Sequence, residues 1–178
     1  MVIIETDVNR IKRLSKQKED ENWDFRSFLK WCGTPSEEID SIVHRLYQEV
    51  SSQIDCRTCA NCCREVQPVL YQEDIERFSI GLGTSAARFR DQYLAREKGS
   101  EGYTFNEMPC PFLKDNLCIH YAHRPGNCVS YPHLHKKDLI FRLMNVIGNC
   151  SICPIVFSVY ESLKSEIWHD RDSCVEEG

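Results

Sequence analysis

Cys56-Arg57-Thr58-Cys59-Ala60-Asn61-Cys62-Cys63 sets four thiols within eight residues, and this run decides how the chain is read. A Cys-x-x-Cys turn bends two sulfurs toward one centre, and thiolates are the ligands that zinc and iron–sulfur clusters select. Cys56, Cys59 and Cys62 carry the front half of the bacterial ferredoxin spacing. A fourth ligand then comes from elsewhere, and Cys153, followed by Pro154, is one candidate. Cys62 and Cys63 are adjacent, and neighbouring side chains in extended backbone point apart. Cys63 is therefore expected to face a second place. With Cys110, Cys118 and Cys128 it makes four thiolates, enough for tetrahedral zinc or a second cluster.

The other cysteines divide by context. Cys150 forms Cys-x-x-Cys with Cys153, and pairing with Cys56 and Cys59 as a zinc ribbon is open, although the separation is long for that motif. Cys32 follows Trp31 at a helix end and reads as a core thiol, and Cys174 as an incidental thiol near the C-terminus. His120, His123, His133 and His135 gather near the later cysteines, where imidazole would suit zinc or iron, but each alone reads as a surface or core histidine.

Composition limits the classes available. The chain has 178 residues, 42% apolar and 28% charged, as a soluble globular domain requires. No apolar run nears the ~20 residues that cross a bilayer. Met1 to Asp7 lacks the basic segment and apolar core of a secretory signal. Eleven cysteines in a reducing setting point to metal rather than to disulfides, and a cytoplasmic protein is expected. A net charge of −5 offers no basic face for nucleic acid. The partners expected are metal ions, with no nucleic acid, no membrane and an unidentified protein partner left open.

Along the chain, a polar helix is expected over 5–20, a short amphipathic one over 24–31 stopped by Gly33, and a third from Thr34-Pro35 to about Ser52. Ile39, Ile42, Val43, Leu46 and Val50 mark its inner face. Val66 to Tyr71 reads as extended, with Pro68 allowing an edge strand at most. Helices follow over 72–80, 84–97 and 155–168, with a turn at 98–102 and short strands and loops over 103–145. Leu139 to Met144 is the best strand candidate there. The fold class is α+β: a small, mostly helical domain whose short strands and loops wrap around the cysteine-ligated centre or centres. The organisation expected is a helical extension over 1–54, a cysteine-cluster domain over 55–168 and a flexible tail over 169–178. A metal is expected to staple the region 56–155.

These motifs resemble the YkgJ-type CxxCxxCC family of zinc- or iron-chelating domains. The resemblance rests on Cys56-x-x-Cys59-x-x-Cys62-Cys63, Cys110-Pro-Phe-Leu113, Cys118-Ile-His-Tyr121, Arg124-Pro-x-x-Cys128 and Cys153-Pro154, and covers residues 55–165. It implies that Cys56, Cys59, Cys62, Cys63, Cys110, Cys118, Cys128 and Cys153 chelate metal. Val129 stands where the family often has Arg. The implied function is a metal-binding protein holding an iron–sulfur cluster, [4Fe-4S] in type, or Zn2+, in a redox, sensing or metal-handling role. Successive two-residue gaps plus a remote Cys-Pro favour the cluster. A metal-dependent group transferase, such as a methyltransferase acting on protein side chains, is the alternative. It would draw on Arg124, Tyr121, His120, Tyr131 and His133 as pocket groups. No phosphate-binding glycine loop is present, because Gly81-Leu-Gly83 lacks the third glycine and a preceding strand.

Overall fold

The structure, a computed structural model, describes residues 4–169. Cys174 and the tail expected after His169 lie outside the described residues. In chain order the helices are α1 Val8–Gln17, α2 Glu19–Trp31, α3 Ser36–Ser51, α4 Cys56–Cys59, α5 Cys62–Glu65, α6 Gln72–Gly81, α7 Ala86–Tyr93, α8 Gly126–Ser130, α9 Leu143–Cys150 and α10 Pro154–Lys164. Two antiparallel pairs join them, β1 Leu94–Arg96 with β2 Tyr103–Phe105 and β3 Leu113–Lys114 with β4 Leu117–Cys118. The class is α+β, mostly helical with two small sheets. The described residues form two units, one from residues 4–55 and 132–169, the other from 56–131.

The first unit is helical. Asp7 caps α1 by accepting from the N–H groups of Asn9 at 2.9 Å and Arg10 at 3.2 Å. Glu19, Asp20 and Glu21 open α2 at the positive end of its dipole. Gly33, at φ +73°, stops that helix in the left-handed region. Ile39, Val43, Leu46 and Val50 are buried on α3 at three- and four-residue steps, and α10 packs along that helix. The Lys164 ammonium on α10 is buried between Glu21 at 2.8 Å and Glu161 at 2.5 Å. A buried ammonium is tolerated only with such partners.

The strand expected over Leu139 to Met144 does not form. Leu139–Arg142 is a 3-10 turn leading into α9. Leu139, Leu143, Val146 and Cys150 are the buried positions, a four-three-four spacing that belongs to a helix. Asp40 starts the turn by accepting from the N–H groups of Asp138 at 2.7 Å and Leu139 at 3.0 Å. Arg142 fixes the preceding loop through the carbonyls of His133 and Lys137, each at 3.0 Å. Within that loop, burial and then the charge of Lys136 push the His133 imidazole down to about 4, so it is neutral at pH 7.

The second unit has its own aromatic core. Leu70, Ile75, Phe78, Phe89, Leu94, Phe105 and Phe112 are buried together, with the Phe78 and Phe112 rings 4.7 Å apart. Leu70 extends beside Tyr103 as an isolated bridge, as Pro68 allows. The helix expected over 84–97 stops at Tyr93, because Leu94 turns extended and pairs with Phe105. From this core two cysteine-bearing stretches emerge, residues 56–66 before it and 110–131 after it.

Candidate metal centre

The cysteine run folds as two helical turns joined by one left-handed residue. The Ala60 N–H reaches back to the Cys56 carbonyl at 3.2 Å, closing α4. Ala60 itself takes φ +50° and is buried, which reverses the chain into α5. Cys62 and Cys63 therefore lie on a helical turn rather than in extended backbone. Successive side chains on a helix are about 100° apart, so the two sulfurs do not oppose each other. The Cys62 thiol donates a hydrogen bond to the Cys63 sulfur. The expectation that Cys63 faces away from its neighbour fails for this reason.

Cys63 is tied to the later cysteines through the backbone. Its carbonyl accepts from the Cys110 N–H at 2.8 Å, and the Cys110 carbonyl accepts from the Leu113 N–H at 3.0 Å. There the β3–β4 hairpin begins. Asp115 and Asn116, at φ +50° and +63°, form its two-residue turn, the pairing that primed hairpin turns require. This places Cys118 opposite Leu113 and returns it to Cys110. α4 packs on β4, so the Cys56–Cys59 turn lies beside the Cys118 strand. Arg64 links the same parts, donating to the Cys59 carbonyl at 3.3 Å and to the Asn116 side chain.

Cys128 arrives on α8. Asp74 accepts from the Gly126 N–H at 2.8 Å, and the Asn127 side chain donates to the Val69 carbonyl at 2.8 Å. Both bonds anchor α8 to the aromatic core.

Electrostatics mark Cys63, Cys110, Cys118 and Cys128 as mutual neighbours. The hydrogen bond from Cys62 brings Cys63 down to about 7 against its burial, with help from the charges of Arg64 and Arg124. Burial pushes Cys110 up to about 11, and the charges of Cys63 and Cys118 add to this. Cys118 is raised by burial and by Cys63. Cys128 is raised to about 12 by burial and then by Cys63, Cys110 and Cys118 together. Four thiolates so placed repel one another, and half-buried surroundings give them little water in compensation. A soft cation answers both costs, so the donor set fits zinc or a thiolate-bound iron–sulfur cluster. Among the described residues, no three Cys, His, Asp or Glu side chains are drawn together closely enough to hold an ion as they stand.

The remaining sequence candidates are each described by their own element. Cys153 belongs to the helical unit, where it is the N-cap of α10 with Pro154 in the first turn. Cys150 is buried on α9, and burial drives its thiol far up, as for a small apolar side chain. Cys32 is half-buried at the end of α2. The His120 ring packs 5.5 Å from Phe78 and 5.6 Å from Phe112, and His123 lies against Gly81. His133 and His135 lie in the helical unit's loop, and Tyr131 ends the cysteine unit. Arg124 and Tyr121 do stand at the site. Sequence reasoning missed Arg64, Asp74 and Arg77, although the Asp115-Asn116 hairpin signal that places Arg64's partner was legible.

Among the described residues, no helix is long and apolar enough to cross a membrane. Neither the curated proteins nor the solved structures contain a match to the chain. Residues 55–154, more than half of the sequence, match CxxCxxCC, described as a putative zinc- or iron-chelating domain. These residues hold the whole cysteine unit just described, and the chain belongs to the CxxCxxCC family.

Proposed function

We propose that the chain is a cytoplasmic metal-holding protein whose centre is ligated by Cys63, Cys110, Cys118 and Cys128. Cys56, Cys59 and Cys62 serve as the adjoining donors. The observation that carries this reading is the tie of the Cys110 N–H to the Cys63 carbonyl, with the β3–β4 hairpin returning Cys118 and with Cys63, Cys110 and Cys118 bearing on the Cys128 thiol. Family membership supports the metal. Four thiolates drawn onto one ion would form a closed set, which suits holding a metal more than opening a coordination position to substrate. The spacing of Cys56, Cys59 and Cys62 beside that centre adds thiol donors of the kind an iron–sulfur cluster uses, which favours a cluster over zinc. Such a group supplies electron transfer or sensing, and zinc would supply only structural support or metal for delivery. The protein's own part is to hold the sulfurs on a fixed hairpin and two helical turns and to keep them half-buried.

The test is anaerobic purification, then a visible spectrum with iron, zinc and acid-labile sulfide assays. Stoichiometric metal is expected in the wild type. It should be lost in Cys63→Ser and Cys128→Ser and kept in Cys150→Ser, whose thiol is buried as a small apolar side chain on α9. Metal-free wild type, or metal retained in both ligand variants, would overturn the assignment.

A further inference from the structure

Two arginines of the cysteine unit, Arg64 and Arg124, bear on the Cys63 thiol. Arg64 spends its guanidinium on the Cys59 carbonyl and the Asn116 side chain. Arg124 is held differently. Its guanidinium carbon sits 3.6 Å above the centre of the Tyr121 ring, a stacked cation–π contact. Its Nε is buried and has no hydrogen-bond partner. A buried donor left unpaired is costly unless the neighbourhood supplies an acceptor.

The backbone under Arg124 is fixed by groups outside the site. Arg77 donates to the Arg124 carbonyl at 2.8 Å and to Asp74 at 2.7 Å. Asp74 also takes the Gly126 N–H that starts the helix carrying Cys128. One arginine–aspartate pair therefore sets both the cation and a ligand. Cys63, Cys118 and Cys128 all lie within the electrostatic reach of Arg124. A divalent metal on four thiolates leaves two negative charges in half-buried surroundings, and groups around a metal site that donate to its ligands tune both affinity and potential.

We propose that Arg124, stacked on Tyr121, is the positioning and counter-charge residue of the thiolate centre, donating its spare Nε–H to a metal-bound sulfur without touching the metal. This rests on the metal-holding reading above. It implies that Arg124 is worth little while the thiols are protonated and much once they are ligated. A residue that merely propped the fold would matter equally in both states.

The test compares full-length wild type with Arg124→Gln, Arg124→Lys and Tyr121→Leu. Zinc affinity is measured by competition with a chromogenic chelator under anaerobic conditions. Thermal melts are taken with and without zinc. Arg124→Gln should bind zinc about tenfold to a hundredfold more weakly while its metal-free melt stays at the wild-type temperature. Arg124→Lys should recover part of the loss, because it restores the charge but not the forked donor. Tyr121→Leu, which keeps the charge and loosens its seat, should lose less than Arg124→Gln and keeps the test alive should that variant fail to fold. Unchanged affinity in Arg124→Gln, or equal melting losses with and without zinc, would overturn the proposal. Wild type that binds neither zinc nor iron would instead overturn the site itself, and the role of Arg124 with it.

Discussion

At the scale of single residues, the cysteines were legible because their chemistry needs no fold to be recognised. Cys56, Cys59, Cys62 and Cys63 announce themselves by spacing alone, whereas the assignment of Cys63, Cys110, Cys118 and Cys128 to one centre belongs to the proposal above. The relation between Cys62 and Cys63 is not legible in their spacing, since it depends on whether residues 62–65 are extended or helical, and Ala60 decides that. Their titration carries a prediction. Cys63 loses its proton near pH 7, whereas Cys110, Cys118 and Cys128 keep theirs well above it. Metal takes thiolates, so each protonated ligand releases a proton on binding. Binding to all four releases about four protons well below pH 7 and about three well above it. Affinity therefore rises with pH, and the slope of its logarithm flattens from about four to about three across neutrality. Zinc titration calorimetry in buffers of different ionisation enthalpy counts the protons directly. Release of one or none would show that these thiols are not the ligands.

At the scale of elements, helices with a strong stripe were readable and segments fixed by distant polar groups were not. α3 and α10 follow from periodic Ile, Val and Leu. The turn at Leu139–Arg142 is not legible in the local sequence because the carboxylate that caps it, Asp40, stands on another helix. α7 ends early because its last turn is claimed by pairing with β2. A close approach between elements gives the second prediction. A Cβ on Gly81, the last residue of α6, would lie 2.6 Å from the His123 ring and 3.1 Å from the His123 Cβ. Gly81→Ala must push aside the Tyr121–His123 turn, at a cost of about 1–3 kcal/mol. That turn leads directly into Arg124, so zinc affinity should fall as well. Gly148→Ala on α9 meets nothing within 4 Å and should stabilise by about 0.4–1 kcal/mol. Chemical denaturation of the two variants separates the cases. Equal stability in both would mean that α6 and the Tyr121–His123 turn are not in contact as described.

At the scale of the whole molecule, apolar burial and sulfur chemistry occupy different parts of the cysteine unit. The aromatic core runs from Leu70 to Phe112. Of residues 56–66 only Ala60 is buried, and of residues 113–131 only Pro125. These two stretches are held by backbone ties such as Cys63 to Cys110 and by side chains such as Arg64 and Asp74. The sequence suggested that a metal would staple everything from 56 to 155. The core narrows that expectation, because α6, α7 and the β1–β2 pair are packed by their own phenylalanines. Helical residues beyond 132 likewise bury their own stripe against α3. Removing the metal should therefore release residues 56–66 and 113–131 and leave the rest folded, since local opening begins where apolar contacts are fewest. Hydrogen exchange of the holo protein, followed before and after chelation, reads this segment by segment. Faster exchange confined to those two stretches is the expected result. Loss of protection across α3 and α10 as well would mean that the metal supports the whole chain. No change anywhere would mean that the backbone ties alone suffice and that the thiols carry no structural metal.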